Sequence, residues 1–134
     1  MAANGCTGLV VITHGEIGRA LLDVAAFILD QPLVEVGFLS FCQSSVKETG
    51  DAEILRAIEH ADSGQGVLVM TDICGASPYN HVARLVPSGH LALLSGLNLA
   101  MLIRAWNHRS MPPEQLVEMA AEGAVRDIQA GQLK

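Results

Sequence analysis

The sequence predicts an α/β fold: a three-layer sandwich with a mostly parallel four-stranded sheet flanked by helices. Three observations carry the prediction. Short runs of branched apolar residues alternate with amphipathic stretches along the whole chain. The run Val67-Leu68-Val69-Met70 is apolar at every position, as a parallel strand covered on both faces requires. Turn-forming clusters such as Asp62-Ser63-Gly64-Gln65-Gly66 punctuate the units.

Residues 9–12 read as a buried strand. The helix behind it repeats Ile17, Ala20, Leu21, Val24, Ala25 and Ile28 at three- and four-residue intervals, which assigns these side chains to its inner face, and Asp30-Gln31-Pro32 ends it. Residues 34–39 make a second strand whose partial alternation places it nearer the sheet edge. Ser44 or Ser45 then caps a helix to about His60, with Ile54, Leu55 and Ile58 inward. Residues 67–70 are the third strand, followed by the segment 72-DICGASPYN-80 and a short helix. Residues 90–95 are a fourth strand, and helices follow over 97–107 and, after Met111-Pro112-Pro113, over 114–129. No linker, repeat or low-complexity tract interrupts the chain, so residues 1–134 are expected to form a single domain.

Composition narrows the function. Half of the 134 residues are hydrophobic and 16% are charged, enough apolar material for a packed core. A net charge of −6 with no Lys/Arg cluster argues against nucleic acid as a partner. Cys6, Cys42 and Cys74 are widely spaced and odd in number, which fits a reducing compartment better than a disulfide framework. The start, MAANGCTG, has no basic leader, and no run approaches the roughly 18 apolar residues of a membrane span. A cytoplasmic protein is expected.

The chemistry gathers at two strand ends. His14 follows the first strand and stands directly before a helix N-terminus, where unpaired N–H groups and the helix dipole favour an anion. Gly15 leaves room for a phosphate to approach the backbone, and Thr13 supplies a hydroxyl. Asp72 follows the third strand. If the first and third strands are neighbours, its carboxylate can hold one imidazole nitrogen and leave the other free as a nucleophile. The loop after it carries Gly75 and then Ser77-Pro78, a helix start with Ser77 as cap. Position alone equally fits a surface histidine and an aspartate in ordinary turn chemistry. His60 suits a helix C-terminus, His81 the mouth of the site, and His90 and His108 lie in turn-like settings. No histidine has partners at metal-ligand spacing, and no glycine-rich nucleotide motif occurs, so neither a metal nor a cofactor is expected.

Thr13-His14-Gly15, 72-DICGASPYN-80 and 96-GLNLAML-102, in this order and at compatible spacing, resemble the IIA domains of the mannose-class sugar phosphotransferase system over nearly the whole chain. The resemblance implies a phosphohistidine carrier. His14 would take a phosphoryl group from the phosphocarrier protein HPr on Nε2, with Asp72 hydrogen-bonded to the ring and Thr13, Gly15, Gly75 and Ser77 around the phosphate. A IIB protein would be the acceptor, separate because no IIB domain follows in this sequence, and the membrane would be reached only through transporter subunits. The family is commonly dimeric through an exchanged C-terminal strand, which implies a homodimer. Ala76 and Ala100 depart from the family pattern, which has glycine and proline there.

Two other functions compete. A regulatory protein would use the same phosphorylated His14 to control partner binding, since added charge at a helix N-terminus is a sound switch. A hydrolase built on Ser77, His14 and Asp72 lacks the G-x-S-x-G elbow. The phosphotransfer subunit of dihydroxyacetone kinase has a similar fold, but the S-P-Y-N ending favours the mannose class. The helix that begins near Gly18 and the loop around residues 37–44 are candidates for a partner-docking face.

Overall fold

The computed structural model describes residues 5–41, 47–73, 80, 82–84 and 91–131. Its elements are β1 (Gly8–His14), α1 (Ile17–Leu29), β2 (Gly37–Phe41), α2 (Lys47–Ala61), β3 (Val67–Thr71), β4 (Leu91–Leu94), α3 (Leu99–Asn107) and α4 (Pro113–Arg126). Residues 80 and 82–84 are also helical. The sheet runs in the order β2-β1-β3-β4 with every pairing parallel, as the apolar runs at β1 and β3 demand. These two central strands carry most of the fully buried side chains.

Side chains alternate across the sheet and build one core on each face. Leu9, Val11, Leu68 and Met70 point to one side, against Leu22 and Ala25 of α1, Leu102, Ala105 and Trp106 of α3, and Leu116 and Ala120 of α4. Val10, Ile12, Val67 and Val69 point to the other, against Ile54 of α2 and Val82. The chain leaves β1 toward one edge and crosses back over β1 to reach β3. Right-handed crossovers then put α1 and α2 on opposite faces, as observed. Asp62 holds the turn before β3, its Oδ1 accepting from the Gly64 and Gly66 amides at 2.8 and 3.0 Å.

Several expected boundaries and faces move. β1 extends two residues further, so that His14 is its last residue. β2 begins at Gly37, not at 34, because the Val36 amide donates to the Leu33 carbonyl (3.1 Å) and closes a turn that leaves Val34 exposed. Leu55 of α2 is partly exposed, whereas Ile54 is buried. Asn98 caps α3, so that helix starts at Leu99. The largest correction is on α1. Its buried residues are Gly18, Leu22 and Ala25, while Ile17, Val24 and Ile28, assigned to the inner face, are exposed. The cause is close approach: a Cβ on Gly18 would lie 2.7 Å from Val11 Cγ1 and 2.7 Å from Phe38 Cε1. The helix rolls its smallest residue onto the sheet, and the bulkier stripe turns outward.

Gly18→Ala is therefore expected to lower stability by about 1–3 kcal/mol through overpacking, although alanine is the better helix former by about 1 kcal/mol. Urea unfolding reads the balance, and equal or greater stability would show that α1 lifts off the sheet at no cost.

Candidate functional site

The β1–β3 register pairs Ile12 with Thr71, so His14 and Asp72 lie just beyond it at the same edge of the sheet. Strand order reverses here, with β2 and β4 on either side, and α/β sheets place their sites at such a point. His14 Nδ1 lies 2.9 Å from Asp72 Oδ2, and the His14 backbone amide donates to the same oxygen at 3.0 Å. The Ile73 amide donates to Oδ1 at 3.0 Å. The His14 side chain is 33% exposed and that of Asp72 only 11%.

Burial by itself would raise the Asp72 carboxyl. The His14 amide, the His14 ring with its charge, and the Ile73 amide outweigh that and hold it below the ordinary carboxylate value. An ionised carboxylate only accepts hydrogen bonds, so Nδ1 carries a proton, and in the neutral ring the lone pair is then on Nε2. The ring is further set by an edge contact with Phe41, centroids 6.2 Å apart and planes at 69°.

The joint between β1 and α1 is built by Thr13 and Gly15. Thr13 is buried, and its Oγ1 accepts from the Gly18 amide at 2.9 Å and reaches the Gly15 carbonyl at 3.4 Å. Its hydroxyl thus secures the start of α1 instead of pointing into solvent, where a phosphate would need it. Gly15 has φ +53° with open space around it, so the chain turns from strand to helix there through a left-handed conformation. Gly75 and Ser77 lie outside the described residues, as do Ala76, Cys42, Cys74, His81 and His90. His60 is in the last turn of α2 and exposed, and His108 closes α3.

Two contributors carry no chemical signature in the sequence. Phe41 is one. The other is the 96–97 turn, where Gly96 (φ +85°) and Leu97 donate their amides to the carbonyls of Asp72 and Thr71, both at 3.0 Å. This clamps the backbone under the carboxylate to the turn that leads into α3, whose first amides are capped by Asn98 Oδ1 at Met101 N, 2.8 Å. The turn lies in the 96-GLNLAML-102 segment, which the family resemblance picks out without assigning it this role.

A family model described as "PTS system fructose IIA component" (EIIA-man) matches residues 8–122. The chain belongs to this family. It is 29% identical over 125 residues to the PTS system mannose-specific EIIAB component of Escherichia coli strain K12, an alignment covering 91% of this chain but 38% of that protein. The chain thus spans well under half the length of this EIIAB relative. The mannose/sorbose specific IIA subunit from Enterococcus faecalis superposes with a TM-score of 0.83 at 20% identity, over 96% of this chain and 97% of that one. Component EIIA from Streptococcus agalactiae gives 0.80 at 22% identity, over 92% and 96%. These two structures share the EIIA-man fold described above. Among the described residues no helix is long and apolar enough to cross a membrane.

Because Asp72 is held below its unfolded value, the unfolded chain binds the extra proton between the two values. Its contribution to stability is complete above the ordinary carboxylate pKa of about 3.9 and is lost as pH falls through the folded value. Urea unfolding across the acid range should show this loss in the wild type and its absence in Asp72→Asn. Parallel acid profiles for the two proteins would contradict the assignment.

Proposed function

We propose that this EIIA-man protein is a phosphohistidine carrier in sugar uptake, accepting a phosphoryl group from HPr on His14 and passing it to a IIB protein. The observation that supports the reading most is the Nδ1–Asp72 hydrogen bond, which leaves Nε2 of a partly exposed ring without that partner, just before α1. In the loading step Nε2 attacks the phosphorus of the donor's phosphohistidine. The new N–P bond forms as the donor's N–P bond breaks, and the donor ring departs with that electron pair. His14 keeps its Nδ1 proton and becomes cationic, and Asp72 balances that charge. The amides at the start of α1, the loop with Gly75 and Ser77, and the space at Gly15 receive the phosphoryl oxygens. Transfer to IIB is the same step with the roles exchanged. A homodimer accompanies this reading, with β4, the last strand of the sheet order, as the edge open to an exchanged strand. A cytoplasmic setting belongs to the same reading.

Incubation with phosphoenolpyruvate, enzyme I and HPr, followed by intact-mass spectrometry at alkaline pH, should add one phosphoryl group to the wild type and none to His14→Ala. Asp72→Asn should fold and load between about 10²- and 10⁴-fold more slowly, because the amide no longer fixes the tautomer or balances the charge. No added mass on the wild type with active HPr would end the carrier reading.

A further inference from the structure

We infer that Asn98 is a positioning residue for the His14–Asp72 pair. Its hydrogen bonds go to α3 and α4 and to neither of those side chains. It acts by fixing the turn from which the Asp72 backbone is held. The inference rests on the carrier reading for its effect on rate, and on geometry alone for its effect on the ring.

Asp72 stands where the sheet stops fixing the chain. The last residue of β3 in register with β1 is Thr71, opposite Ile12, and the last in register with β4 is Met70, opposite Leu94. Beyond them, the Thr71 carbonyl accepts from the Leu97 amide and the Asp72 carbonyl from the Gly96 amide, both at 3.0 Å. These two bonds orient the Asp72 backbone, and through it the carboxylate. The tolerance is small. Nδ1 and Oδ2 are 2.9 Å apart, and a drift of about 1 Å takes the pair beyond hydrogen-bond range.

The turn needs an anchor outside itself. Gly96 is exposed, has φ +85° and has open space where a side chain would be, so packing does not fix it. Leu97 lies against the core on the α1 side of the sheet. Asn98, half-buried, is locked on both its backbone and its side chain. Its carbonyl accepts from the Leu102 amide at 3.1 Å, and its Oδ1 accepts from the Met101 amide at 2.8 Å. Its Nδ2 donates to the Ala124 carbonyl at 3.4 Å, in the last turn of α4. A helix cap needs only the first two. The third crosses to another helix, so the turn that holds Asp72 is moored to two helices through one side chain. The short bond to Met101 is the main mooring and the longer one to Ala124 the lesser.

The first test is long-range proton–nitrogen NMR of the His14 ring, assigned with His14→Ala, at alkaline pH where imidazole is neutral. It reads which nitrogen carries the proton. Wild type should show the Nδ1–H form held by Asp72, and Asn98→Ala a mixture with the Nε2–H form. Asn98→Ser keeps a capping oxygen and should return to the wild-type signal. Gly96→Ala strains the same turn without touching Asn98 and should match Asn98→Ala, which keeps the test open if Asn98→Ala does not fold. The second test is loading by phospho-HPr. Asn98→Ala should lower kcat about tenfold through misplacement of the pair and leave KM within about twofold of wild type. A less stable Asn98→Ala with the wild-type ring signal and kcat makes Asn98 a helix cap alone and overturns the proposal. A raised KM at unchanged kcat, or Asn98→Ser no better than Asn98→Ala, overturns it too. A wild type that HPr does not load ends the carrier reading, while the ring signal, which needs no donor, still decides the role of Asn98.

Discussion

The parallel pairing of β1 with β3 is the constraint on which everything at the site depends. Parallel strands bring like ends together, and the register that sets Ile12 beside Thr71 leaves Asp72 one residue and His14 two residues past the ladder. Because the chain turns to opposite edges of the sheet after these strands, a gap opens between the two strand ends. The imidazole and the carboxylate fill that gap. A shift of one residue in either strand would turn one of the pair to the wrong face of the sheet.

The site is fastened from three directions, mostly by backbone. From below, Asp72 receives the His14 and Ile73 amides. From the side, the amides of Gly96 and Leu97 grip the carbonyls of Asp72 and Thr71. From the helix, Thr13 binds the Gly18 amide and ties α1 to the strand that carries the histidine. Gly18 completes this last attachment, since only a residue without a side chain lets α1 settle against Val11 and Phe38. Core packing and placement of the reactive ring are therefore one problem, solved by the same few residues.

Much of this was legible in the chain. The four strands, the order of the helices and the His14–Asp72 pair could be read because buried parallel strands are apolar throughout and sites collect at their carboxyl ends. The face of α1 was misread because hydrophobic periodicity weighs large side chains, whereas the buried face uses Gly18 and Ala25, chosen for smallness. The start of β2 was displaced because Val34 and Val36 look like strand residues while a local hydrogen bond at Leu33 bends them into a turn. Thr13 offered a hydroxyl that could serve a ligand or a helix end, and composition does not distinguish these. The clamp at Gly96 and Leu97 consists of backbone bonds, so the 96-GLNLAML-102 segment could be matched to a family pattern without its role being readable.

Asp72 Oδ2 accepts both from the His14 ring and from the amide of the same residue, while Oδ1 is held by Ile73. If the imidazole turns away, two of the three hydrogen bonds persist and the carboxylate stays where it was. The counter-charge is thus a fixed installation, indifferent to which ring has just arrived or left. On the proposed carrier reading, a charge fixed in this way acts on the one transition state shared by gain and loss of the group and also favours the loaded, cationic ring. The direction of net flow is then set by the free energies and the supply of donor and acceptor.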